Sequence, residues 1–551
     1  MRGPRTDRFA RPLPVLLAIS GLALLLRIVG LGARVAHQDE ARVAHWILHY
    51  KSVGAWEYRA IIHGPFLPHV NGVVFDLLGP SDFSMRLVVA VVGGLLPLTA
   101  WLFRDRLRDL EMVVLAGLLA LNPVLLYYSR FMRNDLLLGA FAFAAFGFVV
   151  RAIDTDDRRY LLAAGVAFGL AATTKENVLL YLVTWAGALV LLFDHRLFLA
   201  RHRGRDWLAL GRELSEGALR GLWRVRHTLA GGLLALAVIV IAFYSPKPDL
   251  YRALGNPTQL PGVLDATTLG TWEKFTDLWG STGMQEHSYV RFLGHLLLVM
   301  GVGGATTTIF SGIGFVADRY REAGPRDVVA FTFYWGLASV LGYPIVSDIM
   351  AGWTAVHALI PLAVPAAVGL ALVIRKLLGA LERDDGRLAA VTVVLLVLAA
   401  TATLGGGLAV NVLYPTEKAN PVVQYAQPAG DMKPQLARIE ELSAANEGID
   451  VVFYGEEYYT PNETRGDASL DIETGGYAGW FARLPLPWYL EQYDANVTST
   501  TDPEYFEENQ PPVVITLREE SGDIEGRLEG YERTVRQGYL SDRPVVFFIR
   551  E

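Results

Sequence analysis

Cysteine is absent from all 551 residues, so the chain has no disulfide, thiolate nucleophile or cysteine-bound metal. Charge is scarce. Only 19% of residues are charged against 52% hydrophobic, and the mean hydropathy is +0.31. That balance excludes disordered, collagen-like and coiled-coil chains. It also excludes a string of soluble domains, because the apolar residues are gathered into runs long enough to cross a bilayer. No glycine-rich phosphate loop, internal repeat or low-complexity tract is present, and no nucleic-acid partner is expected. Lysine is rare, at 7 residues against 42 arginines.

The charges that remain are unevenly divided. From Asn411 to Glu551 there are 26 acidic and 11 basic residues, a net of −15, whereas the first 410 residues carry a net of +8. Apolar runs of spanning length fall at about 13–31, 84–103, 112–128, 136–151, 160–174, 178–193, 228–245, 292–316, 328–346, 354–374 and 388–410. The pattern predicts a polytopic α-helical membrane part of about eleven transmembrane helices over 1–410. A soluble extracytoplasmic α/β domain is expected over 411–551.

Basic loops set the orientation. Arg2, Arg5, Arg8 and Arg11 precede the first run. The segment 194–227 has eight arginines and four acids, and Arg375, Lys376, Arg383 and Arg387 follow a later run. With the N-terminus cytoplasmic and the first helix retained rather than cleaved, all three loops fall inside. The segments 32–83, 127–135 and 245–291 and the C-terminal domain then fall outside. In that domain, 432–446 and 524–537 read as helices, and 450–454, 513–517 and 544–549 as strands. Asn462-Glu463-Thr464 and Asn496-Val497-Thr498 are acceptor sequons.

Polar residues at the expected outer helix ends are the candidates for chemistry. Asp39 and Glu40 are adjacent carboxylates just beyond the first helix, costly at a membrane surface unless paired or used; either suits a general base. His63-Gly64-Pro65, followed by Pro68, His69 and Asn71, reads as a fixed turn that can present an imidazole to a phosphate or sugar. Tyr127 to Asp135 carries Arg130, Arg133, Asn134 and Asp135 between two apolar helices, and arginine forks suit phosphate oxygens. Lys175 and Glu176 lie in a polar break between two apolar runs, and Lys175 suits a phosphate counter-charge. Arg27 and Asp348 read as interfacial residues. His45 and His49 have the i,i+4 spacing of metal ligands, but no third ligand motif accompanies them, so a divalent metal stays open.

Taken in order, the acidic pair, His-Gly-Pro, Ser-Arg-Phe-Met-Arg-Asn-Asp (129–135) and Thr-Lys-Glu-Asn (174–177) resemble the archaeal flippase activity-associated protein family. So does Leu-Pro-Leu-Pro-Trp-Tyr-Leu at 484–490. That family is similar to the GT-C-like polytopic glycosyltransferases, among them protein O-mannosyltransferases and aminoarabinose transferases. The resemblance implies a GT-C-like fold and inverting transfer of a sugar from a polyprenyl-phosphate donor in the membrane lipid to a glycan or protein acceptor hydroxyl. It implies Asp39 as catalytic base with Glu40 beside it, and His63, Arg130, Arg133, Asp135, Lys175 and Glu176 around the substrates. It leaves open a non-catalytic accessory or flippase role in lipid-linked glycan handling. One segment departs from the pattern: Asp348-Ile-Met-Ala-Gly-Trp353 stands where relatives have Glu-Lys-x-Pro-Trp, without the lysine and proline.

Overall fold

The computed structural model describes residues 12–281, 287–347, 349–424, 426–428, 432–461, 463, 479–538 and 544–551. Every expected apolar run is helical. They form α1 (Pro12–Ile28), α4 (Asp82–Leu95, running on as a 3-10 turn to Phe103), α5 (Asp109–Leu121) with α6 (Pro123–Tyr128), and α7 (Asn134–Thr155). After these come α8 (Arg159–Ala172), α9 (Val178–His202), α10 (Trp207–Tyr244), α14 (Tyr289–Gly303) with α15 (Ala305–Arg319), α16 (Asp327–Val346), α17 (Thr354–Glu382) and α18 (Gly386–Ala400). Among the described residues, seven helices are long and apolar enough to cross a membrane, or eight if a bent pair is one span. The protein is a multi-pass membrane protein.

Two expected runs are broken. The run at 292–316 bends by 96° between α14 and α15, at Gly303-Gly304. The run at 112–128 breaks before Pro123, which cannot continue the backbone ladder of α5. α17 is the buried axis of the bundle, whereas α10 and Gly386–Leu413 expose most of their apolar side chains on its flank. α15 crosses α17 without room for a side chain, since a Cβ on Gly314 would lie 1.8 Å from Pro365 O. Small residues at such crossings let helix backbones pack where lipid supplies no hydrophobic drive.

The segment 32–83, expected as a loop, is largely helical: α2 (Gln38–Val53), a 3-10 turn at Ala60–Ile62 and α3 (Phe66–Leu78). The expected turn holds for residues 63–65. Pro68, His69 and Asn71 lie inside α3, because proline in a first helical turn loses no hydrogen bond. Three short helices follow α10, namely α11 (Asp249–Gly255), α12 (Leu260–Asp265) and α13 (Thr271–Ser281).

The C-terminal domain is a five-stranded sheet, β1 (Val451–Tyr454), β2 (Val497–Thr500), β3 (Val513–Leu517), β4 (Tyr531–Gln537) and β5 (Pro544–Arg550), in the order β2-β1-β3-β5-β4. β2, β1 and β3 are parallel, and β5 runs antiparallel to β3 and β4. The helix Lys433–Ala445 packs beside it as expected. The helix expected over 524–537 is mostly β4 instead; only Gly522–Glu525 is helical. β4 and β2 are the edge strands, and in β4 the charges of Glu532, Arg533 and Arg536, which keep an edge from pairing with other chains, also hide the strand pattern. Asn496 of the second sequon is exposed at the start of β2; Asn462 of the first, and Asp348, lie outside the described residues.

Candidate active site

α2 starts from an unusual cap. His37 is extended (φ −73°, ψ 156°); its Nδ1 accepts from Asp39 N at 2.9 Å, and Glu40 Oε2 accepts from His37 N at 3.0 Å. This is a reciprocal capping box with imidazole in the usual hydroxyl's place. Burial lowers the His37 pKa to about 4, which keeps Nδ1 free to accept. The cap also fixes the two acids in the first turn, where the helix dipole favours them.

The two acids then diverge. Glu40 is fully buried and saturated. Its Oε1 accepts from Arg86 Nε (2.7 Å) and Met132 N (2.7 Å), and its Oε2 from Arg86 Nη2 (2.6 Å) as well as His37 N. Burial pushes its pKa up, but Arg86 more than offsets this and brings it to about 2. With no oxygen left for a substrate, Glu40 joins the first turn of α2 to α4 and the loop before α7, rather than acting as a second catalytic acid. Glu40→Gln leaves Arg86 as an uncompensated buried charge. It is expected to cost about 3–5 kcal/mol of stability, read as a fall in thermal unfolding temperature in detergent. An unfolding temperature equal to wild type would remove this clamp role.

Asp39 is half-buried and opens onto a chain of alternating charges. Its Oδ2 accepts from Arg133 Nη1 and from Gln424 Nε2 (2.8 Å), and its Oδ1 from Arg42 Nη2 (3.2 Å). Burial raises its proton affinity, yet Arg133 and Arg42 together hold it well below the usual carboxylate range. Arg133 Nε donates to Asp135 Oδ2 (2.7 Å), and Lys175 Nζ donates to Asp135 Oδ1 (3.1 Å). Trp353 forms the floor: the Arg133 guanidinium lies 4.7 Å and the Lys175 ammonium 3.9 Å from its ring centroid. Behind Asp135, His357 Nε2 is 3.1 Å from Oδ1, its Nδ1 is 2.7 Å from Tyr181 OH, and its ring stacks on Tyr343 at 4.4 Å.

A second pair adjoins this chain. His63 Nδ1 lies 3.3 Å from Glu176 Oε2, and Tyr58 OH donates to Glu176 Oε1 at 2.6 Å. Burial and the Lys175 charge hold His63 below its ordinary pKa, so the ring is neutral near neutral pH. His63 has φ 64° and ψ −159°, a region nearly confined to glycine that costs about 1–3 kcal/mol. Backbone bonds from Gly64 N to Thr174 O (3.1 Å) and from Phe66 N to Thr173 O (2.9 Å) hold it there. Only glycine fits at 64, since a Cβ would lie 2.4 Å from Thr173 O.

Arg130, expected beside Arg133 at a phosphate, points elsewhere. Its Nη1 donates to the carbonyls of Leu26 (2.8 Å), Arg27 (3.1 Å) and Val29 (2.7 Å), and its Nη2 to Gly30 O (3.0 Å). It caps the C-terminus of α1, where carbonyls lack helical partners and cations are favoured. Arg27 is likewise turned inward, onto Ala23, Leu119 and Ala120 carbonyls. His45 and His49 do share a helix, with their rings against Trp480 and Trp46. Among the described residues no group of three or more histidines or acids converges as a metal site. The sequence reading missed Gln424, His357, Tyr181 and Arg86. A histidine four residues beyond a helix-entry Gly-Trp was the one signal within reach.

Residues 432–550 match the Agl23 flippase-associated protein C-terminal domain, and residues 62–210 match dolichyl-phosphate-mannose-protein mannosyltransferase. The membrane part thus carries a mannosyltransferase-type match and the C-terminal domain a flippase-associated one. Among solved structures it is similar to ArnT from Cupriavidus metallidurans in the apo state, at 17% identity over 97% of both chains with a TM-score of 0.57. The same protein bound to undecaprenyl phosphate gives 17% identity, 97% of both chains and 0.55. The archaeal oligosaccharyltransferase AglB from Archaeoglobus fulgidus, in complex with an inhibitory peptide and a dolichol-phosphate, gives 14% identity over 95% of this chain and 72% of that one, at 0.50. These likenesses establish the fold. No curated protein matches the chain.

The flippase-associated domain docks on the membrane part through Asp82 at the start of α4. Asp82 accepts from Trp488 Nε1 (3.0 Å) and Tyr489 OH (2.8 Å) and pairs with Lys433. Tyr489 OH accepts in turn from Ala36 N (2.7 Å), one residue before the α2 cap. The flippase-associated domain thereby holds the segment that presents Asp39.

Proposed function

We propose that this protein is an inverting membrane glycosyltransferase. It moves a hexosyl-type sugar from a polyprenyl-phosphate donor to an acceptor hydroxyl at the outer membrane face. The observation that carries this is the chain Asp39–Arg133–Asp135–Lys175 on the Trp353 ring at helix ends of one side of the bundle. The mannosyltransferase match over 62–210 spans most of those residues and supports it. ArnT bound to undecaprenyl phosphate and AglB with a dolichol-phosphate are proteins of this fold that bind such lipids.

In this reading the prenyl chain stays in the bilayer while its phosphate competes for Arg133 and Lys175. Each contact that Asp39 loses to the phosphate raises its affinity for a proton. Asp39 then takes the acceptor hydroxyl's proton as the oxygen attacks the anomeric carbon. The carbon–oxygen bond to phosphate breaks on the opposite face, which inverts the centre. The phosphodiester leaves as a monoester with one more negative charge, and the two cations stabilise that developing charge. Asp135, with His357 behind it, orients both cations; His63 and Glu176 lie where the sugar enters.

Basic loops at 1–12, 194–227 and 375–387 support a cytoplasmic N-terminus, eleven spans and an outer C-terminal domain. A second reading is favoured by the flippase-associated match: an accessory to lipid-linked glycan handling that uses the same site only to hold a polyprenyl phosphate. Incubation of membranes with a panel of radiolabelled polyprenyl-phosphate sugars separates the two. The transferase reading expects label to pass to an endogenous acceptor. Lipid binding with no transfer across the panel would establish the accessory reading instead.

A further inference from the structure

The segment 420–424, with 426–428 after it, lies between the last membrane helix and the flippase-associated domain and crosses the candidate site. It is pinned on both sides of Gln424. Asn420 Nδ2 donates to Val410 O (3.1 Å) and Tyr414 O (2.9 Å), and Asn420 Oδ1 accepts from Val422 N (3.1 Å). Tyr128 OH donates to Val422 O (2.6 Å), and Gln427 Nε2 donates to Val35 O (3.2 Å). Gly352 approaches the same carbonyl and leaves no room, since a Cβ there would lie 2.8 Å from Val422 O and 2.9 Å from Tyr128 OH.

Between these pins sits Gln424, only 2% exposed. Its Nε2 donates to Asp39 Oδ2 at 2.8 Å, and its Oε1 accepts from Arg133 Nη1 at 3.3 Å. One amide thus touches both members of the central ion pair. Reversing it would set a carbonyl against a carboxylate and an NH2 group against a guanidinium, so only one orientation is satisfied.

We propose that Gln424 is a positioning residue for Asp39 and Arg133, delivered into the membrane site by the segment that leads into the C-terminal domain. The inference rests on the transferase reading above. The charged and titratable groups facing Asp39 come from two elements, Arg42 and His37 at the start of α2 and Arg133 before α7, while residues 420–424 bring no charge. Gln424 is therefore the neutral donor in that ring. When a phosphate draws Arg133 off, the Gln424 amide still holds Asp39 Oδ2, and so sets which carboxylate oxygen faces the acceptor. Because the same segment continues into Lys433, Trp488 and Tyr489 on Asp82, the docking of the C-terminal domain and the geometry of the reacting carboxylate are one mechanical unit.

The neutrality of the residue is the property to test, because bulk alone does not predict a pH effect. Full-length protein in detergent is titrated with dolichyl monophosphate, and the ratio of variant to wild-type affinity is followed with pH. Gln424→Glu adds a second carboxylate that ties Arg133. The ratio is expected to fall roughly tenfold at the alkaline end and to recover toward about pH 5, as one of two crowded carboxylates takes a proton. Gln424→Met keeps the shape without the amide. It is expected to bind the probe as wild type does at every pH, with a lowered turnover and an unchanged KM in transfer. If both folded variants match wild type in affinity, pH dependence and turnover, the positioning role is overturned while the transferase reading stands. A wild type that does not bind the probe removes the transferase reading and this inference with it.

Discussion

Replacing Arg133 with alanine is expected to lower transfer at least about a hundredfold, the usual loss when one donor to a developing charge is removed. Arg133 is the hub of the site. Its guanidinium joins Asp39 to Asp135, donates to the Gln424 carbonyl oxygen and lies on Trp353. Without it, Asp39 and Asp135 are left with Arg42 and Lys175 as their nearest cations, and the lipid phosphate loses its forked partner. Arg133→Lys keeps the charge but cannot bridge two carboxylates and a phosphate at once, so it should recover only part of the loss. Arg130→Ala is the control. Losing its contacts to the end of α1 should cost stability, about 1–3 kcal/mol for a charged donor, and leave dolichyl monophosphate affinity unchanged. Titration of that probe beside thermal unfolding separates the two arginines. Weak binding in Arg130→Ala with normal binding in Arg133→Ala would reverse the assignment.

Asp39→Asn should reduce transfer by about a hundredfold to ten-thousandfold, the range for loss of a general base. Donor affinity should be equal to wild type or tighter, since an amide no longer ties Arg133 by charge. A base needed only in the transition state leaves ground-state binding intact. The same ion pairs give a pH expectation. Asp39 is held below its unfolded value of about 4, so its ionisation stabilises the fold at every pH above that value. That stability is lost only as pH falls through the lower folded value. In Asp39→Asn the acid-induced unfolding midpoint should therefore move toward neutral pH. Transfer by Asp39→Asn at the wild-type rate would show that another group takes the proton.

Among the contacts that seat the flippase-associated domain on the membrane part is the buried carboxylate of Asp82, whose partners come from two stretches of the domain, Lys433 and Trp488-Tyr489. This docking reaches the site by two routes. Tyr489 holds Ala36 beside the α2 cap, and the segment ahead of Lys433 carries Gln424. The domain is in this sense a wall of the site and not a separate module.

Long apolar runs were legible because a helix in lipid must hide its whole backbone, and only sustained hydropathy allows that. The candidate loops were legible for the converse reason: Arg133, Asp135 and Lys175 are costly near a bilayer unless they have partners. Which partner each one has was not legible. Asp39 and Glu40 are neighbours in sequence, but successive helical residues point about 100° apart. One therefore meets Arg133 and Gln424, and the other is locked against Arg86, 46 residues on. Arg130 and Arg133 are separated in the same way by the turn between α6 and α7. Gln424 meets Asp39 across 385 residues, a separation at which no local pattern carries information. The strand β4 escaped notice because an edge strand is half solvated and carries the charges of a surface, and β2 because it is four residues long and mostly polar. Composition and periodicity determined that this chain lies in a membrane, and which helix ends collect its polar residues. The tertiary fold alone decided which carboxylate joins Arg133 and Gln424 and which arginine is a structural cap, because those depend on what lies across a gap between distant segments.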